Sequence, residues 1–329
     1  MNRFSSVRRS IVTALGASSL AAALPRLAMA QGEKPLQIMI GYPPGGSTDA
    51  FARLISMPLQ TALNGRSVVV RNVPGAGGQI AASALLREGA DGSAVLAINQ
   101  PDLSLAVARG NAGFKLSDFR TIMADLHEPR VFLVKNDSGI DSFAKFVSQA
   151  KASPGKLAIS VTGGSAQETM AQWLVEQLKI DVLVIPYKGG GEAINALLAG
   201  DVTANLGDDF VRSNMRSKTT ALFIGSDKTS PRWPEAPTLQ SLLTTYGVWM
   251  SSPHFLARYG VYVVSAAFAQ KNPKAYQELQ QAMLAARSGS VFTSYLQQNN
   301  LSDLSLGAAG EPYEPAFASE MNEINKLKR

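Results

Sequence analysis

Four glycine-rich turns are the strongest chemical signal in the sequence. Each follows an apolar run that predicts a strand and precedes a segment with helical spacing; they are Pro43–Gly46, Pro74–Gly78, Thr162–Ser165 and Lys188–Gly191. Such turns present unpaired backbone N–H groups at the positive end of a helix dipole, where carboxylates bind without a basic side chain. They predict a site for a small anionic group. For any one turn, the alternative that glycine only permits a tight bend stays open.

The glycine spacing matches no nucleotide-binding loop. Gly45-Gly46-Ser47-Thr48 lacks the lysine of a phosphate-binding loop, and Gly75-Ala76-Gly77-Gly78 lacks the spacing of a dinucleotide fingerprint. Lys188 precedes its glycines instead of following them. We therefore expect no nucleotide and no other cofactor.

Catalysis has few residues to draw on. The chain has no cysteine, which excludes thiol chemistry and thiolate metal sites. Its two histidines, His127 and His254, stand in no metal-ligand or triad spacing, so a hydrolase built on Ser47 or Ser165 would lack a base. The neighbours Asp208-Asp209 would point to opposite faces of a strand. These features predict a binding protein without a metal, not an enzyme.

The first 30 residues are typical of a cleavable export signal. The pair Arg8-Arg9 precedes an uncharged stretch from Ser10 to Leu24 and the small-residue triplet Ala28-Met29-Ala30. The apolar run is shorter than the roughly 20 residues of a membrane-spanning helix. We predict a periplasmic protein cleaved near Ala30, with the arginine pair favouring twin-arginine over general export.

The charge pattern argues against nucleic acid as a partner. The chain has 31 basic and 25 acidic residues, and four of its arginines lie in the predicted export signal. The other basic residues are scattered among acidic ones and are not clustered with aromatic residues on one face. We expect a small-molecule ligand instead.

Alternating strands and helices must position the glycine turns. The alternation indicates a mostly parallel α/β fold. The predicted strands are Leu36–Gly41, Ser67–Arg71, Ala94–Asn99, Val131–Lys135, Leu157–Val161, Val182–Pro186, Val202–Leu206, Ala221–Gly225 and Tyr259–Val264. Pro58 predicts a kink or a break in the first helix, because a proline inside a helix costs about 3 kcal/mol.

The length after the export signal allows two lobes, and no flexible linker separates them. We predict that residues 31–129 and 254–329 form lobe 1 and that residues 130–253 form lobe 2. The chain would cross between lobes near Glu128–Arg130 and again near Met250–His254. The ligand cleft would lie between the lobes of a monomer.

Several motifs in order resemble one receptor family. The sequence resembles the substrate-binding proteins of tripartite tricarboxylate transporters, the Bug receptors. The segments that carry the resemblance are Tyr42–Asp49, Arg71–Gly78, Pro154–Leu157, Pro186–Gly191 and Pro234–Leu239. The resemblance covers nearly the whole chain after the export signal and weakens after about residue 250. It implies a two-lobe, type II periplasmic-binding-protein-like fold that closes on a small ligand, commonly a carboxylate. Membrane transporter components would then be the protein partners.

Carried over to this sequence, the resemblance implies a site made of turn residues from both lobes. Together with Asp208, which follows a predicted strand, they are Tyr42, Gly45, Gly46, Ser47, Thr48, Asp49, Thr162, Gly163, Gly164, Ser165, Gln167, Glu168, Tyr187, Lys188 and Gly189. Among these, Asp49 is expected to cap the first helix in preference to contacting an anion.

Acidic residues depart from the family pattern. Glu168 stands where the family often has a histidine, and Asp208-Asp209 follows a predicted strand end. Negative charge there would disfavour a di- or tricarboxylate unless Lys188 offsets it. A neutral, amino or monocarboxylate ligand is one alternative, and a solvated Glu168 favoured by the helix dipole is the other. A sensor subunit that presents its ligand to a signalling partner is a further alternative to the transport receptor.

Overall fold

The computed structural model describes residues 33–226, 228–249 and 257–319. The predicted export signal, residues 1–30, and the predicted crossing at Met250–His254 lie outside the described residues. From Lys34 onward the chain forms one unit, in which helices cover a mixed β-sheet.

The first group of strands alternates with helices. The strands are β1 (Leu36–Ile40), β2 (Val68–Asn72) and β3 (Ala94–Gln100), and the helices are α1 (Ser47–Ala62), α2 (Gln79–Glu88) and α3 (Asp102–Ala108). β1 lies between β2 and β3 and pairs with both in parallel. β3 is buried along its whole length, as expected for a strand covered on both faces.

The second group has the same alternation. Its strands are β5 (Leu157–Thr162), β6 (Val182–Tyr187), β7 (Ala204–Asp208) and β8 (Thr219–Gly225), and its helices are α4 (Phe143–Ala152), α5 (Ala166–Gln177), α6 (Gly190–Ala199), α7 (Asp209–Ser213) and α8 (Leu239–Thr245). β5 pairs in parallel with β6 and β7. The strand predicted at Val202–Leu206 corresponds to β7, which begins and ends two residues later than predicted. Asp208 is therefore the last residue of β7, and Asp209 is the first residue of α7.

One 17-residue strand, β4 (Phe119–Lys135), belongs to both groups. As far as Pro129 it pairs with β9 (Ala257–Ser265), and from Arg130 onward it pairs with β7 and β8. The sequence predicted only the segment Val131–Lys135 of this strand. The first part went unrecognised because charged residues interrupt its apolar pattern, and these charges are buried.

The C-terminal elements return to the first group. They are β9, β10 (Ser305–Ala309), α9 (Ala266–Lys271), α10 (Pro273–Ser288) and α11 (Ser290–Gln298). β9 pairs with β3 and β4, β10 pairs with β4, and α10 packs against α1. No helix among the described residues has the length and apolar content to cross a membrane.

Helix α1 is continuous through Pro58, so the predicted break is wrong. The proline removes one backbone donor, but Phe51, Ile55 and Leu59 are fully buried on the inner face of the helix. Burial of each such side chain contributes about 1.5–3 kcal/mol, which together exceeds the cost of about 3 kcal/mol for an interior proline. Packing therefore overrides the local preference.

Candidate ligand-binding site

The N-termini of α1, α5 and α6 border a cleft of about 150 Å³. They follow β1, β5 and β6 through three of the four glycine turns, as the sequence predicted. Nine of the sixteen predicted ligand-binding residues line this cleft: Tyr42, Gly46, Ser47, Thr48, Thr162, Ser165, Gln167, Gly189 and Asp208. The cleft thus lies at the carboxyl ends of strands, where open α/β sheets bind ligands.

A wider cavity of about 600 Å³ adjoins the cleft and shares Tyr42, Pro43, Thr162 and Glu192 with it. Four more predicted residues line this outer cavity: Gly163, Gly164, Tyr187 and Lys188. The remaining three, Gly45, Asp49 and Glu168, line neither space.

At the N-terminus of α1, Asp49 closes its own turn. Its Oδ2 accepts a hydrogen bond from the Gly45 N–H at 3.0 Å, while Arg53 and Asn72 donate to Oδ1 at 3.0 and 2.9 Å. Burial opposes the charged form, but Arg53 and Asn72 lower the pKa of Asp49 below its ordinary value. Gly46 caps the helix without a side chain, so no cap side chain accepts from the first N–H groups of α1, and Ser47 and Thr48 line the cleft.

At the N-terminus of α5, the protein itself fills the backbone donors. Glu168 Oε2 accepts from the Gly164 N–H at 2.7 Å, and Ser165 Oγ accepts from the Gln167 N–H at 3.2 Å. The Ala166 N–H donates at 2.7 Å to Oδ1 of Asp102, which comes from α3. Glu168 therefore braces its own turn and adds no charge to the lining of the cleft.

At the N-terminus of α6, Glu192 Oε2 accepts from the Lys188 N–H at 3.3 Å, whereas the Gly190 and Gly191 N–H groups have no acceptor among the described residues. The cap residue is Gly189, which has no side chain to accept from the helix. Arg212 lies beneath this end with 2% of its surface exposed and also lines the cleft. Its Nε donates to Asn205 Oδ1 at 3.2 Å and its Nη2 to the Gly190 carbonyl at 3.1 Å. Burial lowers the pKa of the Arg212 guanidinium, so an anion beside it would offset lost hydration.

Buried ion pairs form the floor of the cleft. Arg130 pairs with Asp208, and Arg258 pairs with Glu128 and lies 3.5 Å from Asp208 Oδ2. Burial would raise the pKa of Asp208, but Arg130, Arg258 and Arg212 lower it to about 2. The charge that Lys188 was predicted to offset is therefore neutralised by buried arginines, whereas Lys188 is exposed.

A chain of hydrogen bonds runs from α5 to the floor. Asp102 Oδ2 accepts from the Tyr42 hydroxyl at 2.6 Å, and that hydroxyl accepts from the Asn99 N–H at 3.1 Å. Asn99 Oδ1 in turn accepts from Thr48 at 3.1 Å and from Arg258 at 2.6 Å. Burial and Asp102 raise the pKa of Tyr42 well above its ordinary value, so this phenol stays a donor.

Two glycine turns from the different strand groups meet backbone to backbone. A Cβ atom on Gly77 would lie 2.1 Å from the Gly164 carbonyl oxygen, which no side chain permits. Arg109 Nη1 donates to the same oxygen at 2.7 Å. Both turns therefore face the same space and do not point apart.

No group of three histidine, cysteine or acidic side chains among the described residues is placed to hold a metal ion. The polar groups of the cleft are backbone donors, hydroxyls, amides and paired ions, which can bind and orient a small polar solute.

The model of the "Tripartite tricarboxylate transporter family receptor" family matches residues 51–309. The chain belongs to this family. Protein BugT of Bordetella pertussis is 33% identical over 229 residues, which are 68% of this chain and 69% of BugT.

Solved structures of binding proteins share the fold of this receptor. MatC from Rhodopseudomonas palustris with bound malate has a TM-score of 0.76 at 20% identity, covering 90% of this chain and 99% of MatC. The periplasmic binding protein BugD has a TM-score of 0.74 at 23% identity, covering 90% of this chain and 95% of BugD. The two-lobe α/β binding-protein class predicted from the sequence is therefore confirmed.

Eight further residues line the receptor's cleft. Pro43, Pro44, Gly190 and Gly191 belong to the predicted glycine turns, whereas Asn99, Asp102, Glu192 and Arg212 were missed by the sequence analysis. A signal for Asp102 existed, because it follows the end of a buried strand in the same way as the glycine turns. The sequence gives no signal for Arg212, because only its burial beside α6 in the folded structure distinguishes it from a surface arginine.

Proposed function

We propose that this chain is a periplasmic receptor that captures a small organic carboxylate in the cleft and delivers it to the membrane components of a tripartite transporter. Membership of the receptor family supports the transport role. The malate bound to the similar protein MatC supports a carboxylate ligand. The sixteen residues predicted from the sequence, extended by Asp102 and Arg212, form the proposed site.

The observation that carries the proposal is the set of open donors around one cleft. The N-termini of α1 and α6 have glycine caps without side chains, and a buried guanidinium, that of Arg212, lies beside the second. Helix N-termini favour anions by about 0.3–1 kcal/mol each at exposed sites and by more when they are partly buried. A carboxylate is the organic group that these donors match best.

The proposed working motion is closure of two lobes about the strand crossings. The change of pairing partners along β4, between Pro129 and Arg130, supports a hinge at this point. The contact of Gly77 with Gly164 supports a closed arrangement in which turns from both lobes meet. Hinge closure around a ligand is the usual motion of two-lobe binding proteins.

Binding without turnover is part of the proposal. The Ser165 hydroxyl donates to the Thr162 carbonyl at 2.6 Å, and the Ser47 hydroxyl donates to Glu128 at 3.4 Å. His127 stacks on Tyr259 with 4.5 Å between ring centroids and does not line the cleft. We further propose that the receptor acts as a monomer and that residues 1–30 are removed on export.

The test compares two substitutions at Gly191 in the first turn of α6. Proline removes the backbone N–H group at a position where a helix tolerates proline, whereas alanine keeps the N–H group, and the space around the glycine is open. Isothermal titration with malate, succinate, adipate and their monocarboxylate counterparts measures binding. We expect Gly191→Pro to weaken the best ligand about tenfold and Gly191→Ala to leave it unchanged. Equal affinities in the two variants would contradict the site, and a ligand converted to product would contradict the receptor.

A further inference from the structure

We propose that the cleft receives one carboxylate group of its ligand, at the N-terminus of α6 beside Arg212, and that Asp102 fills the corresponding position on α5 with a carboxylate of the protein. The inference rests on the proposed function and narrows it. The ligand is a monocarboxylate whose other polar end is a hydrogen-bond donor, such as a hydroxyl or an ammonium group.

The first step is that the first two N–H groups of α5 already have acceptors within the protein. Asp102 Oδ1 accepts from the Ala166 N–H, and Ser165 Oγ accepts from the Gln167 N–H. Asp102 is 2% exposed and is also held by the Tyr42 hydroxyl. A ligand anion could bind to the Ala166 N–H only by displacing a buried, doubly bonded carboxylate.

The second step is that α6 keeps its donors and has a cation beside them. No described residue accepts a hydrogen bond from the Gly190 or Gly191 N–H groups, and α6 is a helix of ten residues. Arg212 is 2% exposed, and within the described part of the chain its Nη1 has no acceptor while Nε and Nη2 are occupied. This unfilled guanidinium group and the two N–H groups suit a single carboxylate.

The third step is the charge of the rest of the cleft. Three buried arginines (Arg130, Arg212 and Arg258) are matched by three buried or nearly buried carboxylates (Asp102, Glu128 and Asp208). Of these carboxylates, Asp102 and Asp208 line the cleft away from α6, while Glu192 lines it in the first turn of α6 and accepts from the Lys188 N–H at 3.3 Å. A second ligand carboxylate would therefore meet the oxygens of Asp102 and Asp208 with no uncommitted arginine left beside them among the described residues, which disfavours it, whereas a hydroxyl or ammonium group would find acceptors.

The donors at that end are already committed within the protein. The Tyr42 hydroxyl donates to Asp102 at 2.6 Å, and Gln167 Nε2 donates to Asp208 at 3.0 Å. The protein thus offers mainly acceptor oxygens to the far end of the ligand. A ligand with one carboxylate and one donor satisfies both ends.

Isothermal titration with matched acids tests the inference on the unaltered protein. The pairs are 4-hydroxybutyrate with succinate and 6-hydroxyhexanoate with adipate, so the members of each pair share a carbon count and differ at one end. At whichever chain length binds, we expect the hydroxy acid to bind at least about tenfold more tightly than the diacid.

Substitutions then assign the preference to its residues. Asp102→Ala frees the Ala166 donor and removes one charge, so the ratio of diacid to hydroxy-acid affinity should rise about tenfold; Asp102→Asn, which keeps the shape of the side chain, should raise it in the same direction. Arg212→Gln should weaken both acids about 10- to 100-fold. Asp137→Asn is the matched control, because this carboxylate is 76% exposed and lies outside the cleft.

The outcomes separate the inference from the proposed function. Tighter binding of the diacid to the unaltered protein, or an unchanged ratio in both folded Asp102 variants, would overturn the inference and leave the carboxylate receptor intact. Failure of every mono- and dicarboxylate to bind would overturn the proposed function and the inference together.

Discussion

The N-termini of α5 and α6 border the same cleft, and at each a glutamate of the first turn accepts from the turn before the helix. They differ in the first two helical N–H groups, which have acceptors at α5 and none among the described residues at α6. At α5, side chains from its own turn and from α3 accept the first N–H groups. At α6, the cap is a glycine and the neighbouring Arg212 has a free donor. The same local structure, a glycine turn before a helix, is therefore joined to α3 in one place and is the proposed anion site in the other. What surrounds the turn decides its role.

The largest expected effect comes from breaking the floor that both helices share. Arg258→Met leaves Glu128 buried without its ion-pair partner. Removal of one partner of a buried pair typically costs about 3–5 kcal/mol. Urea unfolding of the variant should show a loss of this size. A loss below about 1 kcal/mol would mean that the floor is hydrated like a surface pair and does not define the two helix ends.

A glycine-to-alanine pair compares the two helix ends directly. At Gly164, before α5, φ is +72° and a Cβ atom would lie 2.9 Å from the Gly77 nitrogen. At Gly191, in α6, there is nothing within 4 Å of the added atom. We expect Gly164→Ala to cost about 1–2 kcal/mol or more and Gly191→Ala to stabilise by about 0.5–1 kcal/mol.

Thermal and denaturant unfolding of these two variants measures the change in stability at each helix end. Because the close approach of Gly164 joins turns from both strand groups, Gly164→Ala should also weaken ligand binding. Opposite signs of the stability changes support the comparison. Equal signs would show that the two turns are in similar environments.

We expect Asp102 to have a smaller effect on the free energy of unfolding, and this effect should depend on pH. Burial raises the pKa of this carboxyl above its ordinary value of 3.8, in spite of Arg130, Tyr42 and the Ala166 N–H group. Its contribution to stability is therefore fully present below pH 3.8 and is lost as the pH rises through the raised pKa of the folded state. The difference in free energy of unfolding between the unaltered protein and Asp102→Asn should then shift against the unaltered protein as pH rises. A difference that is independent of pH would indicate that Asp102 does not titrate in this range.

The sequence predicted the glycine turns and most strands because these depend on local patterns. Gly46 and Gly164 follow apolar runs and precede helical spacing, which needs no knowledge of the tertiary structure. The partner of the α5 N-terminus, Asp102, belongs to α3, a helix of seven residues that was not predicted. Its role depends on a contact between residues 64 positions apart. Local patterns carry no information about such a pairing.

Buried charge misled the sequence analysis in two places. Asp125 and Glu128 interrupt the apolar pattern of β4, so the part of this continuous strand before Val131 was not predicted. The exposed Lys188 was chosen as the cation of the site, while the buried Arg212 was not. In both cases the sequence shows the residue type but not whether a partner offsets the cost of burial.

Lys188 gives the smallest expected effect and sharpens this last point. The side chain is exposed and lines the outer cavity but not the inner cleft. Because the side chain is exposed, salt screens its charge over about 8 Å at physiological ionic strength. Lys188→Ala should therefore change stability by less than about 0.5 kcal/mol and carboxylate affinity less than about threefold, because exposed ion pairs contribute little. Titration at low and at physiological salt measures the affinity, and urea unfolding measures the stability. An affinity loss as large as that of Arg212→Gln, persisting at the higher salt, would make the outer lysine and not the buried arginine the cation that selects the ligand.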